Sequence, residues 1–372
     1  MKYNYTVLTI GFLISSSSWA APGDLFLQSG YFKDPGSSVS IAVDAVNDTI
    51  DFLNIRESEN VSNDKGDYIG AHFDVQYQLA PEWVIEGNYW YRQIDYSDDK
   101  QKLSSPLIAL RYTPDFNFNK DNSLTFRLST WGNFADELKH TNSIGLKTVD
   151  VLGKSKTLKA SDIQVKNPKD WQLQLDGIFT HKIDHMNLVN VFASFGYSKV
   201  SVDQINFRAS LNGCSMDMQV QSNNKYTGQL SEKCNIGIGS INNFTVSGDA
   251  KEFGLDMNKD LNYHATFASF GGSWNWRYRQ FESQLAYQYQ RLWRSGVDDN
   301  ITQYGYSAIK DNHSLGLKLN YDFTPKLRAF IQGEIYKHNL IGTVPFLYNG
   351  VTASRLDKKY GLASIGLTYH GF

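Results

Sequence analysis

Long runs of strictly alternating apolar and polar residues constrain this chain more than any other feature. In the clearest run, every second residue from Ile69 to Leu79 is apolar, and Gly, His, Asp or Gln stands between them. A period of two residues places all the apolar side chains on one face of a β-strand. The sequence therefore predicts long strands, each with one apolar face.

The same alternation returns along most of the chain and predicts about twelve strands. It is clear again at residues 124–129, 172–176 and 315–321. The predicted strands lie near 38–53, 67–79, 83–95, 104–113, 123–134, 171–181, 188–200, 262–277, 281–294, 312–323, 327–339 and 359–370. The first of them is the least regular, because its alternation breaks at Asn47, and residues 25–31 are a further candidate strand.

The predicted strands are joined by connections that alternate between short and long. Residues 80–82, 278–280 and 324–326 form short connections, whereas 135–170 and 201–261 form long ones. A soluble β-sandwich would also show alternation, but its strands average only about 5–6 residues and its connections are not sorted by length in this way. Short turns on one side and long loops on the other are typical of a transmembrane barrel.

Average composition hides this pattern. The mean hydropathy of −0.41 is that of a water-soluble protein, because polar residues between the apolar ones lower the average. After residue 20 the chain contains no apolar stretch long enough for a membrane-spanning helix, which needs about 20 residues. A helical membrane protein is therefore excluded.

Aromatic residues stand where the apolar faces of the predicted strands end. On the short-turn side they are Tyr77, Trp83, Tyr112, Phe179, Trp276, Phe281, Tyr321, Phe323 and Tyr369. On the long-loop side they are Tyr91, Phe134, Trp171, Tyr197 and Trp293. Aromatic rings prefer the interface between lipid and water, so these two sets predict two girdles around a barrel.

The C-terminal strand carries a resemblance to a known class. The chain stops on an alternating segment, residues 360–372, that ends in Phe372, and this resembles the C-terminal assembly signal of Gram-negative outer-membrane β-barrels. Phe372 departs from the pattern, since it falls on the opposite face from Tyr369. The resemblance implies an all-β fold, a transmembrane antiparallel barrel of about 12 strands in the outer membrane. It also implies contact with the barrel assembly machinery, outer-membrane lipid and lipopolysaccharide.

The N-terminal residues predict a secretory signal peptide. Residues 1–20 contain Lys2, an apolar run at 7–14 and small residues before a cut after Ala20. The apolar run is too short to span a membrane. We therefore predict a signal peptide at 1–20 and a single barrel domain at 21–372.

The inward faces of the predicted strands carry charges of both signs in nearly equal number. The predicted pore-lining residues are Asp74, Glu86, Arg92, Arg111, Arg127, Asp176, Glu282, Arg294, Lys318, Arg328 and Glu334, with Arg277 and Asp322 nearby. Charges opposed across a hydrated channel would set a field at its constriction. Alternatively, the same pairs fill and stabilise a closed lumen, since about twelve strands enclose less space than the 16–18 strands of large porins.

The two cysteines predict a disulfide. Cys214 and Cys234 lie in the longest predicted outer loop, and export passes through an oxidising compartment. The sequence shows no clustered His or Cys residues around them, so it predicts no metal site and no cofactor there.

Three classes of function remain open on the sequence alone. The favoured one is a channel that passes small hydrophilic solutes by diffusion, with the loops at 135–170 and 201–261 folding over or into its mouth. The second is an outer-membrane enzyme acting on lipid or polypeptide. Its candidate bases are inward His72, His338 and His370, which are far apart in the sequence and could meet only if closure brought the second and twelfth strands together. The third is a structural or adhesive surface barrel. A net charge of −2 gives no basic patch for nucleic acid.

Overall fold

Twelve long strands form a closed antiparallel barrel. The computed structural model describes residues 24–28, 36–46, 65–96, 99–116, 120–140, 144–151, 154–211, 214–235, 239–253, 255–303, 307–338, 344–349 and 358–371. The barrel strands are β1 (Ser38–Val46), β2 (Lys65–Ala80), β3 (Trp83–Tyr96), β4 (Asp99–Tyr112), β5 (Asn122–Phe134), β9 (Lys169–Lys182), β10 (Asn187–Ser201), β17 (Tyr263–Tyr278), β18 (Phe281–Arg294), β19 (Asp311–Asp322), β20 (Leu327–Tyr336) and β21 (Tyr360–His370).

The barrel closes through its first and last strands. Each strand pairs antiparallel with the next in chain order, and Val43 on β1 stands opposite both Ala71 on β2 and Ile365 on β21. Closure leaves no strand edge in the membrane, where an unpaired backbone N–H or C=O group is costly. The prediction of an antiparallel barrel of about twelve strands is confirmed.

The outward faces are apolar and carry the aromatic girdles. Ile69, Leu317 and Ile331 expose 62%, 44% and 56% of their surface on the outside of the barrel. Near the short turns, the rings of Trp83 and Tyr112 stack with their centroids 4.5 Å apart. An apolar belt bounded by aromatic rings fits the hydrocarbon of a bilayer. The chain is an outer-membrane β-barrel.

Some predicted boundaries differ from the structure. Strand β1 ends at Val46 within the described residues, and residues 47–64 lie outside them. Strands β3 and β4 run on to Tyr96 and Asp99, so their connection is short although it lies on the long-loop side. In the candidate strand at 25–31, Asp24–Phe26 is instead a 3-10 turn. The predicted signal peptide and Phe372 lie outside the described residues, while Gly371 has a φ of 78° that only glycine adopts readily.

The two long outer connections contain strands of their own rather than loops. Seven of these strands form a sheet on the extracellular side, in which β8 pairs with both β6 and β7. They are β6 (Glu137–His140), β7 (Ile144–Val151), β8 (Lys154–Lys166), β11 (Gln204–Leu211), β12 (Cys214–Gln221), β13 (Lys225–Leu230) and β16 (Thr245–Asp249). A separate pair is formed by β14 (Cys234–Asn235) and β15 (Ser240–Ile241). The outer sheet turns one apolar face towards the barrel and the other face, which is polar, towards solvent.

A disulfide joins Cys214 to Cys234, as the sequence predicted. Their Cα atoms are 5.0 Å apart, and the bond ties the start of β12 to β14 at the rim of the outer sheet. A crosslink that closes a loop of this size contributes about 3 kcal/mol by restricting the unfolded chain.

We predict that replacing both cysteines with serine leaves the barrel assembled and loosens the outer sheet. The disulfide does not join barrel strands to one another, so the barrel should be unaffected. The strands β12 and β14 lose the covalent bond between them. Limited proteolysis of intact cells should cut the variant within residues 214–235 at protease concentrations that spare the parent. Equal cleavage of the two proteins would contradict the prediction.

Short helices and turns close the outer end of the barrel. They are α1 (Met257–Asp260), α2 (Val297–Gln303) and the 3-10 turn Pro345–Leu347, and a further 3-10 turn, Ala250–Phe253, follows the outer sheet. We call α1, α2 and residues 344–349 the cap. Among the described residues, no helix is long and apolar enough to cross a membrane.

The apolar core lies in the outer half of the barrel, beneath the cap. Trp131, Phe267, Phe346 and Tyr348 are at most 2% exposed, and they belong to one cluster that continues under the outer sheet through residues such as Val220. The inner wall is thus apolar towards the outer end of the barrel. Its periplasmic half is polar.

Candidate functional site

A cavity of about 410 Å³ occupies the periplasmic half of the lumen. We call it the chamber. Its wall reaches the short turn at Asp184–Met186, and its lining includes eight of the residues predicted to line a pore. They are Asp74, Glu86, Arg111, Arg127, Glu282, Lys318, Arg328 and Glu334. The wall of the chamber therefore combines charges of both signs.

One side of the chamber is held by a ladder of arginines and carboxylates on β3, β4, β5 and β9. Arg111 Nε lies 2.5 Å from Glu86 Oε1, and Arg127 Nε donates to Glu86 Oε2 at 2.8 Å. Arg127 also donates through Nη1 to Asp176 Oδ2 at 2.9 Å. These side chains are at most 9% exposed. Their alternating signs allow four charges to be buried together, since each meets an opposite charge.

A second charged group lies nearer the periplasmic rim, on β17 to β20. Arg328 Nε donates to Asp322 Oδ1 at 2.6 Å, and Arg277 Nη2 donates to Asp322 Oδ2 at 2.9 Å. Glu282 Oε2 lies 3.7 Å from Arg328 Nη1 and 3.9 Å from Arg277 Nε. Arg277 is 44% exposed at its side chain, so this group is more hydrated than the ladder. Lys318 lies above it, with its ammonium 4.3 Å from the centre of the Phe330 ring.

A third group pairs an inward histidine with a carboxylate. His72 Nδ1 lies 3.0 Å from Asp44 Oδ2, which also accepts a hydrogen bond from Trp90 Nε1 at 2.7 Å. A hydrolase would need a hydroxyl or thiol beside this imidazole. In the described residues, no serine or threonine hydroxyl is hydrogen-bonded to His72, and β1 separates it from His370 on β21.

Backbone groups stabilise the carboxylate at the periplasmic rim of the chamber. In the turn between β9 and β10, Asp184 Oδ1 accepts hydrogen bonds from the backbone N–H groups of Met186 and Asn187, at 2.7 and 2.8 Å. The bond from Met186, followed by the side-chain bonds from Asn187, holds the pKa of Asp184 below its usual range. This carboxylate therefore stays charged at the mouth of the chamber at neutral pH.

The cap is latched to the wall by Arg294 at the outer end of β18. The Arg294 guanidinium lies 3.8 Å from the centre of the Tyr348 ring and donates to Asp298 Oδ1 at 3.0 Å. It also donates to the Ile309 carbonyl at 2.7 Å, and Ile309 N donates to the Tyr348 hydroxyl at 2.8 Å. One buried arginine thus joins α2 and residues 344–349 to the barrel.

A second attachment of the cap uses polar groups on β3, β5 and β9. Arg92 donates to Asn133 Oδ1 at 2.8 Å, and Asn133 Nδ2 donates to Asp170 Oδ1 at 2.7 Å. The other oxygen of Asp170 accepts from the backbone N–H of Phe346 at 3.4 Å. A chain of hydrogen bonds therefore runs from the wall into the cap.

The structure separates the predicted pore-lining residues into two groups. Eight of them border the chamber, whereas Arg92, Asp176 and Arg294 face inward but do not border it. Asp176 is covered by Arg127, and the other two hold the cap. That any of them line a path for solutes stays a prediction.

Sequence reasoning placed the connection 201–261, which contains α1, over or into the mouth, but it did not predict α2, residues 344–349 or the apolar outer half of the lumen. The signal is present in the outer ends of the strands, where inward Ile94, Phe267 and Leu292 interrupt an otherwise polar face. Such residues would be out of place in a lumen that is hydrated along its full length. They predict a surface on which something apolar packs, although not which segment does so.

Comparison with known proteins gives only a distant likeness. No protein-family model and no curated protein matches the sequence. Among solved structures, the CymD monoaromatic hydrocarbon channel is 9% identical with a TM-score of 0.42, covering 93% of this chain and 90% of that one. The translocator domain of the autotransporter NalP from Neisseria meningitidis is 8% identical with a TM-score of 0.42, covering 91% and 89%. The KdgM porin is 6% identical with a TM-score of 0.36, covering 90% and 99%.

Proposed function

We propose that this protein is an outer-membrane channel for small hydrophilic solutes whose outer end is closed by a displaceable cap. The main support for this proposal is the chamber, because about 410 Å³ of space bounded by charged and amide side chains is suited to water and polar solutes. Solutes could not simply diffuse along the whole lumen in this conformation, since the cap and the apolar core fill its outer half.

Opening requires the cap to leave the wall, which means separating its buried apolar side chains from the core and breaking the polar contacts that fix its position. The latch at Arg294 and the hydrogen bond from Phe346 to Asp170 join residues 344–349 to β18 and β9, which lie three strands apart around the barrel. Tyr263 adds a third bond, from its hydroxyl to the Pro345 carbonyl at 2.7 Å. Residues 344–349 belong to the long connection between β20 and β21, so they can move without breaking the barrel ladder.

We predict that Arg294→Gln increases the fraction of time that the channel is open by roughly 30-fold. A desolvated cation–π contact contributes about 2 kcal/mol, and each 1.4 kcal/mol changes an equilibrium by a factor of about ten. Single-channel recording of refolded protein in planar bilayers measures this fraction directly. Tyr348→Ala removes the ring from the cap side of the same contact and should have a similar effect without altering a barrel strand.

The matched control is Arg291→Gln. Arg291 lies three positions earlier on the same strand and pairs with Asp311 at 2.9 Å on the outside of the barrel. The change in charge is the same, but the cap is not involved, so the open fraction should stay at the parental level. If the two latch variants fold, as heat-modified migration on a gel shows, and carry no more current than the control, the proposal is wrong.

The outer sheet supports a second candidate function, a surface barrel that displays a binding face. Arg208 and Asp217 form an ion pair at 3.1 Å on its solvent side, and Gln204, Asn206 and Gln219 are linked there by hydrogen bonds. A folded protein that carries no current in any variant would favour this candidate over the channel.

A further inference from the structure

Residues 24–28 lie inside the barrel, beside the chamber. We call them the inner segment. Leu25 and Leu27 are each 4% exposed. The backbone carbonyl of Gln28 accepts a hydrogen bond from Arg111 Nη1 at 2.7 Å, and that of Phe26 accepts one from Gln284 Nε2 at 3.4 Å. The lumen thus contacts this segment through both its backbone and its apolar side chains.

The wall is shaped to receive the inner segment. Leu27 packs with Ile178 and Phe192, two inward apolar residues that form a separate cluster within the polar half of the lumen. On β19, Gly316 leaves the space that Leu25 and Phe26 occupy, because a Cβ atom there would lie 2.5 Å from Leu25 Cδ2 and 2.6 Å from Phe26 Cζ. The inner segment thus fills the space beside an inward glycine and covers an apolar pair of the wall.

The inner segment is held without being part of the barrel ladder. Asp24–Phe26 is a 3-10 turn, and none of the described strands pairs with the inner segment. Its removal would therefore leave every strand with its neighbours. We call the surface that contacts it the groove, which is formed by Ile178, Phe192, Gly316, Gln284 and Arg111. The groove accepts two carbonyl groups and three apolar side chains, which is the chemistry of a short apolar peptide.

We infer that this groove is a binding site for short apolar peptide segments, and that residues 24–28 are its resident occupant. Two donors fix the peptide backbone, the Ile178–Phe192 pair selects an alkyl side chain, and Gly316 admits two side chains side by side. While the inner segment is seated, it blocks the groove against another peptide. The inference does not depend on whether the barrel conducts.

The test uses a chain that lacks residues 24–28 and a labelled synthetic peptide, acetyl-Asp-Leu-Phe-Leu-Gln-amide. Fluorescence anisotropy of the refolded proteins in detergent should show that the shortened chain binds the peptide and that the full chain binds it at least about tenfold more weakly. A peptide carrying Leu27→Asp should also bind the shortened chain about tenfold or more weakly, since it loses the burial of one leucine side chain.

A pair of glycine variants tests whether the peptide enters this groove. In the shortened chain, Gly316→Leu should abolish binding, because its side chain fills the space of Leu25. Gly333→Leu is the matched control on the next strand, where a Cβ atom would meet nothing within 4 Å. Equal binding by the two glycine variants, or by the shortened and full chains, would overturn the inference.

A folding control keeps the outcome decisive. Leu27→Asp in the full chain should expel the inner segment and permit peptide binding without any deletion. If both this chain and the shortened chain fail to assemble, the segment is a fixed part of the fold and the inference is wrong. If the peptide binds but the Arg294→Gln and Tyr348→Ala variants carry no current, the inference about the groove holds and the proposal of a channel is wrong.

Discussion

Leu317→Arg should block assembly of the barrel in the outer membrane. Leu317 lies mid-way along β19, is 44% exposed on the lipid face, and stands opposite Leu285 and Gly333 on its two neighbours. An arginine at the bilayer midplane of such a barrel costs about 2–4 kcal/mol. The fraction of the variant that shows heat-modified migration after refolding into lipid vesicles should fall well below that of the parent.

The next residue provides the control, because it faces the other way. Lys318 borders the chamber, so Lys318→Gln and Lys318→Arg should assemble nearly as well as the parent. Lys318→Arg introduces the same side chain as Leu317→Arg, one position further along. Equal yields for Leu317→Arg and Lys318→Arg would mean that the two faces of β19 have been assigned the wrong way round.

Arg127→Gln should lower the free energy of unfolding by about 3–5 kcal/mol, which is the usual cost of removing one partner from a buried ion pair. Arg127 lies between Glu86 and Asp176, and its loss leaves both carboxylates without this partner. The side chain of Asp176 is fully buried, so water cannot take the place of the guanidinium. Urea unfolding in lipid vesicles, followed by tryptophan fluorescence, measures the change.

Two further variants show whether burial is the cause. Arg277→Gln removes an arginine of the periplasmic rim that is 44% exposed, and exposed ion pairs contribute only about 0–1 kcal/mol. Combining Arg127→Gln with Asp176→Asn should recover much of the lost stability, since Glu86 keeps Arg111 as its partner and no uncompensated charge remains in the ladder. Similar losses for Arg127→Gln and Arg277→Gln would instead indicate that water reaches the whole ladder.

The sequence predicts on which face of the barrel the side chains of most barrel strands lie. Alternation placed Phe73, Leu128 and Leu317 on the lipid face, and Arg111 and Arg127 on the inner face, and the structure agrees. This works because one face of each strand meets lipid and the other does not, so a shift of one residue would bury charge in the bilayer. The same constraint made the strand positions and the two aromatic girdles predictable from the sequence.

The contents of the lumen could not be predicted in the same way. Whether Glu86 meets Arg111 or open water depends on the stagger of neighbouring strands, and alternation within one strand does not define that stagger. The outer connections escaped prediction for a related reason. Their strands are mostly short, and the partners of β11, for example, are set by the packing of the outer sheet on the cap rather than by a membrane.

The sequence by itself determined that the chain crosses the outer membrane as a closed barrel, because the bilayer imposes a period of two on every spanning strand. Only the tertiary structure decided what the barrel encloses. The cap comes from residues 257–260, 297–303 and 344–349, and the inner segment comes from 24–28. These segments are far apart in the chain and carry no shared pattern, so their meeting inside the lumen depends on the long-range packing of apolar side chains against the few apolar positions of the inner wall.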